Sequence, residues 1–299
     1  MTTATESNDS TPYHEMDRSD QEFYWGMTQR NRGLISLEEQ EIISKTVICQ
    51  AGVGGNADVL FTLAQMGFQR FRIADPDTYD VSNLNRQLGG TVDTLGKKKV
   101  DVVATELRRM NPNITVDVFP QGVTEENVEK FLEGAHIVID GMDNLIIKKM
   151  LFDVARDKGQ PVFSSPVIGW TACLAVFDPV SSPTFTEFFG ELPATPEEDE
   201  RFGVRFGSMF MAGSPMELDM VEFRKRVQEG RTPSVAATCR LNAALVCSAI
   251  YSWLFHKGRI PLAPMTLQFD LLGARVAKAG PIKHWMLSRA VEWKSRRTN

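Results

Sequence analysis

The chain has few cysteines, and their spacing argues against the sites that cysteines most often build. Its 299 residues contain four of them, Cys49, Cys173, Cys239 and Cys247. No two form a CxxC pair, which argues against both a structural zinc site and a disulfide framework. We therefore expect no zinc, and a reducing, cytoplasmic environment.

Long apolar runs and strong net charge are also missing. The longest apolar stretch, Leu241–Phe255, contains Asn242 and is too short to span a bilayer, so it predicts a buried helix. The N-terminus, MTTATESNDSTPYHE, lacks the apolar region that a signal peptide needs. The net charge of −5 gives no reason to expect a nucleic acid or an anionic membrane as a partner.

A glycine-rich turn stands between two apolar segments near the start of the chain. Residues 46–51 read as a buried strand, the sequence Gly52-Val53-Gly54-Gly55-Asn56-Ala57 follows, and a helical pattern covers 56–66. In this strand–turn–helix context a GxGxx(G/A) pattern indicates a phosphate site. Glycines let the backbone approach the phosphate, and the N-terminus of the helix faces it.

The remaining apolar segments alternate between the two kinds of element. Helical patterns cover 97–110, 124–133 and 145–158, and strand patterns cover 70–74, 115–119, 135–140, 161–164 and 170–178. This order predicts an α/β fold with a doubly wound, Rossmann-like, mostly parallel sheet. A long helix at 234–257 and a hairpin of strands at 265–270 and 271–276 would form a C-terminal extension.

Composition divides the chain into four parts. We expect a disordered N-terminus, a nucleotide-binding core, an irregular substrate-binding insertion, and a C-terminal helix and hairpin that complete the same domain, at 1–18, 19–180, 181–231 and 232–299.

Ligands of doubly wound sheets bind beyond the carboxyl ends of the strands, where Asp75, Asp140 and the glycine turn should meet. Asp75 follows the turn by about 20 residues, the spacing at which dinucleotide folds place an acid on a ribose hydroxyl. That role fits the ribose of NAD and of ATP equally well. The alternative is an aspartate that only caps a loop.

Cations in and after the long polar loop at 76–96 favour a triphosphate. Arg86 lies in the segment Asn83-Leu84-Asn85-Arg86-Gln87, and Lys97–Lys99 begin the next helical pattern. Lysines at a helix start oppose the helix dipole, so a bound anion would explain them, although they could simply be solvated. Asp143 would suit Mg²⁺, which takes one or two carboxylates together with phosphate oxygens. It could instead cap the following helix, a role open to Asn144 as well.

These motifs together resemble the ThiF/MoeB/HesA-type adenylyltransferases, relatives of the ubiquitin-activating enzymes. The ordered set covers roughly residues 28–178 and continues more weakly at 233–256 and 265–270; it consists of QAGVGGNA, IADPDTYDVSNLNRQ, GKKK, MNP and VIDGMDN. The resemblance implies that Asp143 holds Mg²⁺, and that ATP is bound by Gly52, Gly54, Gly55, Asp75, Asp77, Asn83, Arg86, Gln87 and Lys99.

The implied reaction is the adenylation of a carboxylate on a peptide or a small ubiquitin-like protein, in a peptide natural-product or sulfur-carrier pathway. Arg86, Lys99 and Asp143 would be its catalytic residues. Arg30 or Arg32 would match an arginine that in this family reaches the ATP of the neighbouring subunit, which implies a homodimer.

The sequence departs from many relatives at the zinc-binding CxxC pairs, because Thr184-Phe185-Thr186-Glu187 stands where the first pair would fall. Local packing or the dimer must then stabilise that region. Cys239, near a helix start, is the cysteine whose thiol pKa a helix dipole could lower, and the others read as small core residues.

Two further functions compete with adenylation. An NAD-dependent oxidoreductase would share the glycine turn and Asp75 but would leave Arg86, Lys99 and Asp143 unexplained. A non-catalytic partner of an activating enzyme would lose residues of the nucleotide site, whereas this chain keeps the full set.

Overall fold

The structure is a computed structural model that describes residues 21–195, 222, 225, 226, 229, 232–284 and 286. The predicted disordered segment 1–18 and the larger part of the predicted insertion at 181–231 lie outside these residues. Within the described part, the α-helices are α1 (Gln21–Met27), α2 (Leu37–Lys45), α3 (Ala57–Met66), α4 (Lys99–Met110), α5 (Val128–Phe131), α6 (Leu145–Asp157), α7 (Phe185–Phe189) and α8 (Ala236–Phe255). The strands are β1 (Val47–Ala51), β2 (Arg70–Ala74), β3 (Thr115–Phe119), β4 (Ile137–Asp140), β5 (Val162–Ser164), β6 (Val167–Ile168), β7 (Thr171–Phe177), β8 (Thr266–Asp270) and β9 (Arg275–Ala279).

These strands form one sheet in the order β3-β2-β1-β4-β5-β7-β8-β9, and β6 pairs with β7. Among the first five strands in this order, every adjacent pair is parallel. From β5 onward, β7, β8 and β9 pair in antiparallel fashion. The predicted α/β fold, with a Rossmann-like parallel sheet and a C-terminal extension, is confirmed.

Helices cover both faces of the sheet, which explains why β4 and β7 carry apolar runs without alternation. Side chains of α3, α4 and α8 pack on one face. Side chains of α5, α6 and α7 pack on the other. The carboxyl ends of the parallel strands therefore form one open edge between the two helical layers.

Local packing orders the segment 184–187, where the resemblance placed the first zinc-binding pair of the family. Thr184 caps α7 and forms a capping box with Glu187. Phe185 and Phe189 then stack edge-on or tilted against Phe152 and each other. A helix cap and an aromatic cluster thus order this segment, and α7 replaces the irregular structure predicted for it.

Three other predicted boundaries are wrong. α4 begins at Lys99 rather than at residue 97, because Lys98 pairs with Thr78 and the Lys97 carbonyl accepts from the Tyr79 amide at 3.0 Å. α5 covers only Val128–Phe131 of the predicted 124–133. The last strand is Arg275–Ala279 rather than 271–276, since Leu271 and Leu272 form an exposed turn. None of the helices in the described part of the chain combines the length and apolarity needed to cross a membrane.

Candidate functional site

The glycine turn follows β1 at the open edge of the sheet. Gly52 has φ of +85°, a conformation that favours glycine, and its amide donates to the Ala74 carbonyl at 2.8 Å. A Cβ at this position would lie 2.5 Å from the Gly141 carbonyl carbon. The turn is therefore held against the end of β4, and glycine is required at position 52.

Asp75, at the end of β2, fixes the turn from the other side. Its carboxylate is buried and accepts from the Val53 amide at 2.8 Å and the Asp77 amide at 2.9 Å. Both hydrogen bonds involve backbone groups, so Asp75 does cap the loop. Each carboxylate oxygen has a second lone pair, so the contacts leave room for a hydroxyl donor such as a ribose.

A buried polar network beneath the turn connects three distant parts of the chain. Asn242 of α8 donates to Asn56 Oδ1 at 2.9 Å, and Asn56 donates to the Ser165 carbonyl at 3.3 Å. The Ser165 hydroxyl donates to Asn242 in turn. This network could not be predicted from the sequence, because its members are separated along the chain and Ser165 and Asn242 belong to no motif.

The long loop after β2 places Asn83, Arg86 and Gln87 beside the turn. Arg86 donates to the Ser82 carbonyl at 3.0 Å and to Asn85 Oδ1 at 2.9 Å, and Asn83 Oδ1 accepts from the Asp80 amide at 3.0 Å. Gln87 Nε2 lies 3.1 Å from where a Cβ on Gly54 would stand. Gln87 Oε1 is buried and has no hydrogen-bond partner among the described residues, so it can accept from a further donor.

Lys99 and Asp77 form an ion pair at the start of α4. Their nitrogen and oxygen lie 2.9 Å apart, and the lysine side chain is 7% exposed against 65% for the aspartate. Lys98 turns away and donates to the Pro76 carbonyl. Of the predicted lysine cluster, Lys99 is thus the one whose ammonium is buried at this edge.

Asp140, at the end of β4, is engaged by Lys148 of α6. Their ion pair measures 3.0 Å and is almost fully buried, with side chains 0% and 5% exposed. The Ser164 hydroxyl also donates to Asp140 at 2.7 Å. With these partners, Asp140 is committed to holding the end of β4 in place.

Asp143 does not cap α6, because Asn144 does so by accepting from the amides of Ile146 and Ile147, each at 3.1 Å. The Asp143 side chain is exposed at the surface, yet partial desolvation at this edge raises its pKa above the usual value. Nearby charges act on that pKa in both directions: Asp140 raises it, and three cations lower it, namely Lys148, Lys99 and Arg86. The charges of these four groups therefore act on the Asp143 carboxylate.

No cluster of three or more potential metal-ligating His, Cys, Asp or Glu residues occurs in the described part of the chain. A magnesium ion at this edge would rely on Asp143 and on phosphate oxygens, a donor set that Mg²⁺ accepts because it keeps several waters.

Arg30 and Arg32 are exposed and lie far from the turn in their own chain. Asn31, between them, donates to the Met66 carbonyl at 3.2 Å, at the C-terminal end of α3. The glycine turn lies at the other end of this 10-residue helix, about 15 Å away. The structure does not bring these arginines to the site of their own chain.

The cysteines are buried, and their thiols are not activated. The sequence suggested that a helix dipole could lower the pKa of the Cys239 thiol. In the structure, burial instead raises this pKa to about 11. Burial raises the pKa of Cys49 to about 12, and it also raises that of Cys173 and Cys247.

Arg240 is a charged residue near the site that no motif had marked. It follows Cys239 in α8 and pairs with Asp58 in the first turn of α3. The only hint in the sequence is a lone cation early in a long apolar helix.

Comparison with known families identifies this arrangement. The model of the ThiF family matches residues 28–284. The chain belongs to the ThiF family. Its relatives include the tRNA threonylcarbamoyladenosine dehydratase of Bacillus subtilis, 32% identical over 46% of this chain and 54% of that protein. The sulfur carrier protein adenylyltransferase of Thermus thermophilus is 30% identical over 48% of this chain and 53% of that protein.

An uncharacterized Mycobacterium tuberculosis protein is 35% identical over 44% of this chain but only 19% of its own length. The chain thus spans about half, or less, of these relatives. Among solved structures, SeMet PaaA superposes with a TM-score of 0.63 at 16% identity, covering 91% of this chain and 84% of that one. Escherichia coli MccB with ATP gives 0.62 at 15% identity, covering 81% and 65%. These likenesses describe the fold.

Proposed function

We propose that this ThiF-family protein adenylates a carboxylate of a peptide or a small ubiquitin-like protein, with ATP and Mg²⁺, in the cytoplasm. One observation supports the proposal: the charges of Arg86 and Lys99 act on the pKa of Asp143, which follows the strand end that packs against Gly52, although up to 57 positions separate these residues in the sequence (143 − 86). A hydride-transfer enzyme has no use for two cations and a carboxylate in that place.

Several features of the site fit a nucleotide. The Gln87 oxygen has no partner within the described part of the chain and could accept a hydrogen bond from a nucleotide, and the absence of a side chain at Gly52 keeps the backbone close to the strand ends. Asp75 is positioned for a ribose, and Asn83, Arg86, Gln87 and Lys99 line the side on which phosphates would lie. Asp77 pairs with Lys99 and would orient its ammonium.

Asp143 would hold the magnesium ion. The ion would neutralise phosphate charge and so favour departure of pyrophosphate. Because partial desolvation raises the pKa of Asp143, an added cation would stabilise the ionised carboxylate.

In the proposed reaction, a carboxylate oxygen of the substrate attacks the α-phosphorus of ATP. A new oxygen–phosphorus bond forms, the bond to the bridging oxygen breaks, and pyrophosphate leaves with the electron pair. The chain needs only to orient both reactants and to stabilise the phosphate charge. No protein nucleophile is required, which agrees with four buried cysteines.

Two substrate classes are supported by relatives. The Thermus relative is named for a sulfur carrier protein. The microcin C7 biosynthetic enzyme MccB has been solved in complex with N-formylated MccA. The cap and aromatic cluster that stand in place of the first zinc pair favour, modestly, a specialised peptide pathway. We also propose a homodimer, because Arg30 and Arg32 can serve a nucleotide site only in a second copy of the chain.

Pyrophosphate exchange tests the proposal. With ATP, Mg²⁺ and a panel of peptides and ubiquitin-like proteins, the wild type should incorporate labelled pyrophosphate into ATP only when a carboxylate substrate is present. Asp143→Ala should lower the exchange rate by about 100-fold or more. Asp153→Ala, in the helix that follows Asp143 and in a surface pair with Lys149, is the matched control and should keep the wild-type rate.

No exchange with any carboxylate, or an Asp143→Ala variant as active as the control, would refute the proposal. Calorimetry distinguishes the nearest competitor, because tight NAD binding without ATP binding would favour an oxidoreductase.

A further inference from the structure

Arg240 connects the C-terminal helix to the glycine turn. It lies in the first turns of α8, and its guanidinium pairs with Asp58, the second residue of α3. The same nitrogen lies 3.5 Å from the Arg86 carbonyl oxygen. Arg240 therefore lies between the helix that follows the turn and the loop that supplies Arg86.

The two partners of this ion pair differ in exposure. The Asp58 side chain is 3% exposed, and its Oδ1 has no hydrogen-bond partner. The Arg240 side chain is 46% exposed. A guanidinium carries five N–H donors, and one terminal nitrogen makes both contacts described above. Among the described residues, the other donors of Arg240 make no hydrogen bond, so the exposed side of the guanidinium could bind a ligand.

The electrostatics of Cys239 locate this pair relative to the turn. The Cys239 sulfur lies 3.5 Å from where a Cβ on Gly55 would stand. After burial, the charges that act on the pKa of this thiol are Asp58, which raises it, and Arg86 and Arg240, which lower it. Since Cys239 lies against Gly55 and Arg240 pairs with Asp58 just after the turn, the start of α8 lies close to the turn that would bind the phosphates.

We propose that Arg240 binds a phosphate oxygen of the nucleotide and that Asp58 holds its guanidinium in position. This inference rests on the proposed use of ATP and adds a third cation to Arg86 and Lys99. The planar guanidinium of an arginine carries N–H donors on more than one edge. One edge can therefore pair with Asp58 while another donates to a phosphate oxygen. Two other roles are possible for Arg240: it could only neutralise the buried Asp58, or only join α8 to α3.

Four variants distinguish these roles: Arg240→Gln, Arg240→Lys, Asp58→Asn, and the double variant Arg240→Gln/Asp58→Asn. Binding of ATP and of adenosine is measured by calorimetry, and folding is checked by circular dichroism. If Arg240 binds phosphate, Arg240→Gln should weaken ATP binding by about 10- to 100-fold, the range expected for a lost charge-assisted hydrogen bond, and should leave adenosine binding unchanged. The double variant should stay as weak as Arg240→Gln.

Arg240→Lys retains the ion pair but loses the fork, so it should fold normally and show an intermediate loss of ATP affinity. The matched control is Arg109→Gln, which removes the same charge from a surface pair with Glu106 at the C-terminal end of α4 and should bind ATP as the wild type does.

Three results would overturn the inference. Recovery of wild-type ATP affinity in the double variant would mean that Arg240 only neutralises Asp58. An equal loss of ATP and adenosine binding would mean a purely structural tether, and unchanged ATP affinity in Arg240→Gln would mean no contact. If the wild type binds ATP through Arg240 yet shows no carboxylate-dependent exchange, adenylation fails while this inference stands. Failure of the wild type to bind ATP overturns both.

Discussion

The buried ion pair between Asp140 and Lys148 makes a stability prediction that can be measured closely. Lys148→Met keeps the length of the apolar stem and removes the cation, leaving the Asp140 carboxylate in a site where it is 0% exposed. The hydrogen bonds from Ser164 at 2.7 Å and the Met142 amide at 3.2 Å remain. Breaking one partner of a buried pair costs about 3–5 kcal/mol, a large share of the roughly 5–15 kcal/mol by which proteins are stable.

The adjacent lysine provides the comparison. Lys149 pairs with Asp153 on the same helix, but these side chains are 33% and 43% exposed. Lys149→Met should therefore lower the free energy of unfolding by only about 0–1 kcal/mol. Adding Asp140→Asn to Lys148→Met removes the stranded charge and should recover much of the loss.

Urea unfolding followed by tryptophan fluorescence gives the free energies of all four proteins. The reasoning is refuted if Lys148→Met and Lys149→Met differ by less than about 1 kcal/mol. It is also refuted if Asp140→Asn makes Lys148→Met still less stable, because the cost would then not come from an unpaired carboxylate.

Three further predictions concern the same edge of the sheet. Gly52→Ala combines a positive φ with a clash against the Gly141 carbonyl group, so urea unfolding should show a loss of about 2–5 kcal/mol, and a loss under 1 kcal/mol would contradict the structure. Cys239→Ala should keep carboxylate-dependent pyrophosphate exchange, since burial raises the pKa of this thiol to about 11; loss of exchange in a folded variant would indicate a covalent role. The pKa of Asp143 is raised in the folded chain, so its ionisation lowers stability as pH rises from the unfolded value of 3.8 through the folded pKa. Without nucleotide, Asp143→Asn should therefore unfold at slightly higher urea than the wild type at pH 7, because solvent screens this exposed carboxylate, and at the same urea below the unfolded pKa; the reverse order would be inconsistent with a raised pKa of Asp143.

Most of the parallel sheet could be predicted because its strands are short apolar runs with clear boundaries, and because glycine and asparagine mark the adjoining turns. The cap at Asn144 was predictable for the same reason, since it depends on neighbours within three residues. The residues of the glycine turn could be predicted in the same way, because they form a local motif.

Contacts between distant parts of the chain were not readable. The helix start at Cys239 suggested a lowered thiol pKa, yet the fold packs this residue against Gly55, and desolvation outweighs the dipole. Leu271 and Leu272 looked like a strand by composition, whereas the register of Asp270 with Arg275 makes them the turn. The role proposed for Arg240 depends on its ion pair with Asp58, which lies 182 positions away in the sequence.

That separation has a consequence for how the protein is made. Asn242 meets Asn56 across 186 positions, and Arg240 meets Asp58 across 182. At a synthesis rate of about 5–20 residues per second, Arg240 and Asn242 are added roughly 10–40 s after the glycine turn. A nascent chain that ends before α8 already carries the parallel strands, but the underside of its glycine turn remains open. Competence to bind a nucleotide should therefore arise abruptly, late in translation.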